Sequence, residues 1–368
     1  MQRPQQKASI GGKEMTAMLT ILVAVHSFLN YPRIVSSSAY EAAWMEPVLS
    51  GVISLVVVLI LDALFRRYFS NMGLVEVFRD RFGPVVTGAL SVVIALYFLV
   101  ITATIMREFS ENVITTVLPN TPIYIVGGLF VCAVVYVAFC GLEAIARVSF
   151  LALPVFIVGI FALCLFTINQ WKPVLLLPFW GSGVPNIVWG TLDSTTIFSN
   201  IIVLCMIRIH THDPKEFRTI GIKSTLYATF ILALFLVVYH MVFMPQEANK
   251  LTSPMYSLAR IIHIGRFFQR LESIFIFMWV SAAVVKMAIT LWCAAYALSV
   301  GFNWPVLRPI LPALGLLCFA GSLLPKDMAF VLDYLDVIVW KWAWLIEFAL
   351  PMVGLWLAAL LPRKGRVV

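Results

Sequence analysis

Long apolar runs separated by short polar segments dominate the chain. They fall at about 14–37, 43–65, 84–110, 121–139, 144–167, 184–207, 217–243, 268–299, 306–323 and 334–361. A hydrocarbon core of about 30 Å takes roughly 20 helical residues at 1.5 Å each, so each run has about the length of one crossing. The pattern predicts an all-α polytopic membrane protein with about ten transmembrane helices, forming one integral unit over residues 1–368. The longest outer segment contains Ser253-Pro254, a helix-start signal, followed by Met255, Leu258 and Ile262 on one face and Arg260, His263 and Arg266 on another. That spacing predicts a short amphipathic helix on the outer surface.

Composition agrees: 61% of the 368 residues are hydrophobic and 12% charged, and mean hydropathy is +0.96. A soluble domain averages about 25% charged. The first run holds His26 and is followed by Asn30-Tyr31-Pro32 instead of a small-residue cleavage site, so a retained span is expected and not a signal peptide. The net charge of +8 reflects orientation better than nucleic-acid binding. With the N-terminus inside, 16 of the 26 Lys and Arg residues fall on inner segments and 5 on outer ones. That asymmetry predicts both termini cytoplasmic. The six cysteines lie in or beside apolar runs without a CxxC pair, which suggests neither a zinc site nor a disulfide framework. No nucleophilic triad, Walker loop or metal-ligand pair at helical spacing is present, so neither an enzyme nor a cofactor is expected.

Charges inside the apolar runs are the chemically informative residues. Phe267–Cys293 carries Arg270, Glu272 and Lys286. If Arg270 marks one surface, Lys286 lies near mid-membrane, where a charge costs about 3 kcal/mol and normally faces a protein interior or polar cavity. Glu272 and Lys286 are about 40° apart around the helix, so one face is polar at two depths. Two runs also look interrupted. The first reads AVHSFLNYPRIVSSS, where Pro32 removes a backbone donor. The sixth reads VPNIVWGTLDSTTIFSN, with Gly190, Asp193, Ser194, Thr195 and Thr196 together in mid-span. Spans one and six occupy matching places in two five-span halves of opposite orientation, about 14–167 and 184–361. Broken helices at such places point to a transporter-type binding site.

With these features the chain resembles the spore germination permeases, the B subunits of nutrient germinant receptors in endospore-forming bacteria. The most specific part is Arg270-Leu271-Glu272 with Trp279 in FFQRLESIFIFMWV; ten spans, the length and the polar break in span one complete the resemblance. It implies the five-plus-five inverted repeat of the leucine-transporter type, within the amino acid–polyamine–organocation superfamily. It also implies a germinant-sensing subunit in the spore inner membrane, with a large A-type subunit and a C-type lipoprotein as partners. Where many relatives have Gly-Ser in the span-one break, this chain has His26-Ser27.

His26, Ser27, Asn30, Asp193, Ser194 and Thr195 are the candidate ligand residues at the two breaks. Half-helix N-termini favour a carboxylate, and exposed carbonyls with Asp193 favour an ammonium group, so together they suit a zwitterionic amino acid. The fold resemblance adds Tyr97 of span three. His26 is a candidate proton sensor, and Lys286 a candidate cation or proton site between spans one and eight, or a structural partner of Glu347 or Asp193. Glu108 with Arg33 is a candidate outer gate. Arg270 and Glu272, two residues apart and on different faces, are candidate structural or signalling contacts. Two other functions compete with a receptor subunit: a cation- or proton-coupled amino acid transporter, and a water or ion channel subunit.

Overall fold

The computed structural model describes residues 10–262, 272–327, 330–331 and 341–362, with residues 272–275 described by backbone alone. Helix α1 (Gly12–Ala24) runs into a tight 3-10 turn at Val25–Ser27 and stops; α2 (Tyr31–Ala39) resumes beyond it, and the passage bends by 61°. The local cause lies in the side chains. Ser27 Oγ donates to the Ala24 carbonyl at 2.8 Å, and His26 Nδ1 lies 2.9 Å from the Val23 carbonyl. These bonds occupy acceptors that a continuing helix would have used. Pro32, in the first turn of α2, needs no backbone partner there.

Helices α3 (Met45–Tyr68), α4 (Leu74–Phe82), α5 (Pro84–Thr116), α6 (Ile123–Cys140) and α7 (Leu142–Phe166) complete the first half. In the second, α8 (Val184–Ser194) passes through a 3-10 turn at Thr195–Ile197 into α9 (Asn200–Ile207). Then come α10 (Phe217–Val242), the short α11 (Pro245–Ala248) and α12 (Pro254–Arg260), α13 (Glu272–Gly301), α14 (Leu311–Leu323) and α15 (Leu350–Leu360). Among the described residues eight helical passages are long and apolar enough to cross a membrane, and the bent α1–α2 pair adds a ninth. The shorter apolar helix Arg308–Leu323 stands where the ninth hydrophobic run predicted a span.

Two features differ from the hydropathy reading. Helix α4 forms in a stretch that reads as a loop, because its nine residues are too few for a crossing; it packs Leu74, Val75, Val77 and Phe78 inward against α5 and α15. The outer helix α12 forms as expected, with Met255 and Leu258 buried, but Ser253 does not cap it. Its hydroxyl donates to Asn112 Oδ1 of α5, tying the outer loop to span three. His263 and Arg266 lie outside the described residues.

Helix α1 is buried along its whole length from Met15, wrapped by α7, α10 and α13, while α13 lies along α5. The outer halves of the two broken spans are held by a carboxylate. Glu46, in the first turn of α3, reads from sequence as an outer-segment acid yet is only 1% exposed. It accepts from Ser38 of the first passage and from Ser194 of α8, the latter at 2.6 Å. Gly190 lets it approach: a Cβ there would lie 2.2 Å from Glu46 Oε1. Ser50 donates to the Thr191 carbonyl at 2.9 Å and Ser182 to the Ser38 carbonyl at 2.7 Å, closing the contact between α2, α3 and α8.

Replacing Glu46 by Ala leaves the buried Ser194 hydroxyl without its acceptor, while Ser38 keeps the Val35 carbonyl at 3.1 Å; a hydrogen bond to a carboxylate is worth about 1.5–3 kcal/mol. Glu46→Ala is therefore expected to lower the thermal unfolding midpoint of the purified protein in detergent. An unchanged midpoint would show that the contact does not hold the two half-helices.

Candidate functional site

A cavity with about 530 Å³ of empty space, part of it open, lies where the two broken spans meet α5, α13 and the tenth passage. His26, Leu29 and Asn30 come from the span-one break, and Thr196 and Ser199 from the span-six break. Tyr97, Ile101, Thr104, Ile105 and Glu108 form a continuous stripe of α5 at helical spacing; Lys286, Ala343 and Glu347 close the remaining walls. Two helix N-termini meet here, since Asn30 precedes α2 and Ser199 precedes α9. Neither side chain caps its own helix.

Lys286 sits almost at the middle of the thirty-residue α13 and is 1% exposed. Its Nζ lies 2.8 Å from His26 Nε2. The tautomer follows from the other side of the ring. The Val23 carbonyl can only accept, so Nδ1 carries the proton and donates to it, leaving the Nε2 lone pair for the ammonium. The span-one break thus supplies a neutral acceptor for a buried cation. The carboxylates of Glu347 and Glu108 are its charge partners.

Glu347 is fully buried and lies in a π-helical turn, Leu345–Ala349, ahead of α15. Pro351 has no N–H to return to the Glu347 carbonyl, which removes one bond of a regular helix and favours the wider turn. Tyr97 donates its hydroxyl to Glu347 Oε1, while Oε2 has no hydrogen-bond partner among the described residues. The walls therefore offer one ammonium, two carboxylates and two helix N-termini, with Thr104, Thr196 and Ser199 adding hydroxyls and Leu29, Ile101, Ile105 and Ala343 an apolar part. No group of three or more His, Cys, Asp or Glu side chains among the described residues is placed to hold a metal ion.

A family model described as spore germination protein, Spore_permease, matches residues 10–331. The chain belongs to the spore germination permease family. Among its curated relatives in Bacillus subtilis (strain 168), spore germination protein KB is 24% identical over 302 residues, covering 81% of this chain and 80% of the relative. Spore germination protein A2 is 24% identical over 340 residues, covering 90% of each. Two solved structures show the fold. MhsT, determined in complex with L-phenylalanine, superposes with a TM-score of 0.64 at 15% identity, covering 93% of this chain and 87% of that one. Mhp1, a nucleobase-cation-symport-1 family transporter with bromovinylhydantoin bound, superposes with a TM-score of 0.58 at 13% identity, covering 92% and 79%. The expected leucine-transporter-type architecture is thereby shown, and with it a multi-pass membrane protein.

In this spore germination permease, six of the side chains singled out from sequence line one cavity: His26, Asn30, Tyr97, Glu108, Lys286 and Glu347. Four others do not. Ser27 bonds back to its own helix, Ser194 holds Glu46, and Thr195 donates to the Leu192 carbonyl at 2.6 Å. Asp193 is exposed, and its charge partner is Lys341, not Lys286. The physical reason is angular. Successive residues step by about 100° around a helix, so Asp193, Ser194 and Thr195 cannot all face one point at equal depth. Thr196 is the residue of that run that reaches the cavity, followed by Ser199 past the turn. Ser199 ahead of the apolar run Asn200–Ile207 is itself a helix-start signal, and it could have marked the second N-terminus. Arg33 donates to the Asn249 carbonyl at 3.0 Å and does not line the cavity. Arg270 and the Glu272 side chain lie outside the described residues.

Tyr97→Phe deletes the donor of a buried carboxylate whose second oxygen has no hydrogen-bond partner among the described residues. A loss of about 1–3 kcal/mol in stability is expected, read from unfolding in detergent. The cycle with Glu347→Gln should show coupling, so that the double variant loses less than the sum of the singles. Additive losses would mean that the two groups do not act as a pair.

Proposed function

We propose that this permease is the B-type subunit of a nutrient germinant receptor in the spore inner membrane and that it binds a small zwitterion, an amino acid, in the central cavity. The observation that carries the reading is the arrangement of charge there: two carboxylates and one ammonium beside two helix N-termini. A ligand carboxylate would lie at the amides preceding α2 and α9 with Lys286 near, where the helix dipoles and the ammonium favour negative charge. A ligand ammonium would lie toward Glu108 and Glu347. The likeness to MhsT, a protein solved with an amino acid bound, supports the same ligand class. Occupancy would favour one arrangement of the two halves over another, and A-type and C-type subunits would read that change. A carrier built on the same cavity is the second reading, favoured by the transporter identity of Mhp1.

A thermal-shift scan of the purified protein against the common amino acids tests the ligand class. A stabilising amino acid is expected, with its effect reduced at least tenfold in apparent affinity by Lys286→Met and retained by Asp193→Asn, because Asp193 lies outside the cavity. Equal loss in both variants, or no stabilising amino acid with folded protein, would remove the central-cavity assignment. Counterflow in liposomes then separates a receptor, which shows none, from a carrier.

A further inference from the structure

The outer segment that joins α11 to α12 is tied to two walls of the central cavity at once. On the span-one wall, Asn30 lines the cavity, and Arg33, three residues further out, donates its Nε–H to the Asn249 carbonyl at 3.0 Å. On the α5 wall, Glu108 lines the cavity. Asn112, four residues and about 6 Å further out on the same face of α5, accepts from the Ser253 hydroxyl. Asn249 and Ser253 are four residue steps apart, at most roughly 14 Å of extended chain. Residues 249–253 therefore cross from wall to wall about one helical turn outside the cavity lining. Between the two ties Lys250 and Thr252 are exposed, while Leu251 packs against the core. Both ends are rooted: Tyr239 of α10 donates to the Ala248 carbonyl at 3.0 Å, and α12 buries Pro254, Met255 and Leu258. The ties themselves are unequal. A guanidinium makes the one to span one, and two neutral groups make the one to α5; a hydrogen bond to a charged group is roughly twice as strong.

We propose that residues 249–253 form a lid over the outer side of the central cavity, released when the Ser253–Asn112 hydrogen bond parts. Because the lid is fastened to span one and to α5, any movement of one wall against the other loads both ties. The neutral bond to Asn112 yields first, and the Arg33 bond keeps the lid attached to span one. Leu251 then leaves the core, and solutes pass between the outer solvent and the cavity. The lid thereby regulates access to the ligand site proposed above and rests on that reading for its purpose, though not for its geometry.

The test measures how fast a thiol in the cavity reacts with trimethylammonioethyl methanethiosulfonate in the purified protein. Thr104→Cys supplies the thiol from the cavity lining. Peptide mass spectrometry reads that site apart from the native cysteines. Ser253→Ala is expected to raise the rate roughly 3- to 10-fold, the factor by which loss of one neutral hydrogen bond shifts an opening equilibrium. Asn112→Ala should do the same, and the double variant should match either single one, because both remove one bond. Ser257→Ala is the control and should leave the rate unchanged, since its hydroxyl donates to the Ser253 carbonyl within α12 and not to a wall. An unchanged rate in Ser253→Ala overturns the lid, as does equal acceleration by Ser257→Ala or additive acceleration in the double variant. No reaction in any of these proteins also overturns it, since something else would then close the cavity. Should Thr104→Cys fail to fold, Ser199→Cys takes its place as the reporter. The labelling needs no ligand, so the lid and the amino acid assignment fail separately: a null thermal-shift scan leaves these rates as they are.

Discussion

A lysine in the middle of a membrane helix has to be neutralised, solvated or paired, and the centre of this protein is arranged around that requirement. Lys286 satisfies it with one neutral acceptor, His26, and with the fields of two carboxylates on other helices. Each of these partners is costly in turn. The imidazole is oriented by the Val23 carbonyl, which is available because α1 ends there; Glu347 is held by Tyr97 and by the turn that precedes Pro351. Removing one member of such a buried set leaves another charge uncompensated, typically at 3–5 kcal/mol. The ammonium therefore links spans one, three, eight and ten more firmly than contacts between apolar side chains in lipid can, since lipid tails compete equally well for those.

The breaks in spans one and six serve the same centre. At each, hydroxyl or imidazole side chains bond to carbonyls of the preceding turn, which ends one half-helix and leaves the amides of the next facing the cavity. Backbone of this kind is tolerated at membrane depth only where it is buried in protein or lines a polar space. Glu46 then ties the outer halves to each other and to α3, so that α2 and α8 are connected to one support. A rearrangement that opens the cavity outward has to move them together or break those bonds.

Membership of the spore germination permease family and a transporter fold are compatible because a fold does not fix a function, which lives in the residues placed on it. The central cavity presents charge and helix termini.

Much of this protein is legible in its sequence. Lengths of apolar runs fix the number of crossings, because lipid thickness and helix rise leave little freedom, and Pro32 and the Gly190–Thr196 run mark where two crossings are interrupted. Intramembrane Lys286, Tyr97, Glu108, His26 and Glu347 stand out because their cost in hydrocarbon demands partners. What the sequence could not supply is direction. Depth along a span follows from counting, but the face a residue presents depends on how the neighbouring helices pack and on turns that shift register. For that reason Asp193, at the expected depth, stands outside the cavity while Thr196 and Ser199 line it, and Glu46, an acid at a span end, becomes a buried tie between two half-helices. Composition and periodicity determined that this would be a polytopic helical membrane protein with a charged centre; only the packing of helices distant in sequence decided which side chains meet there.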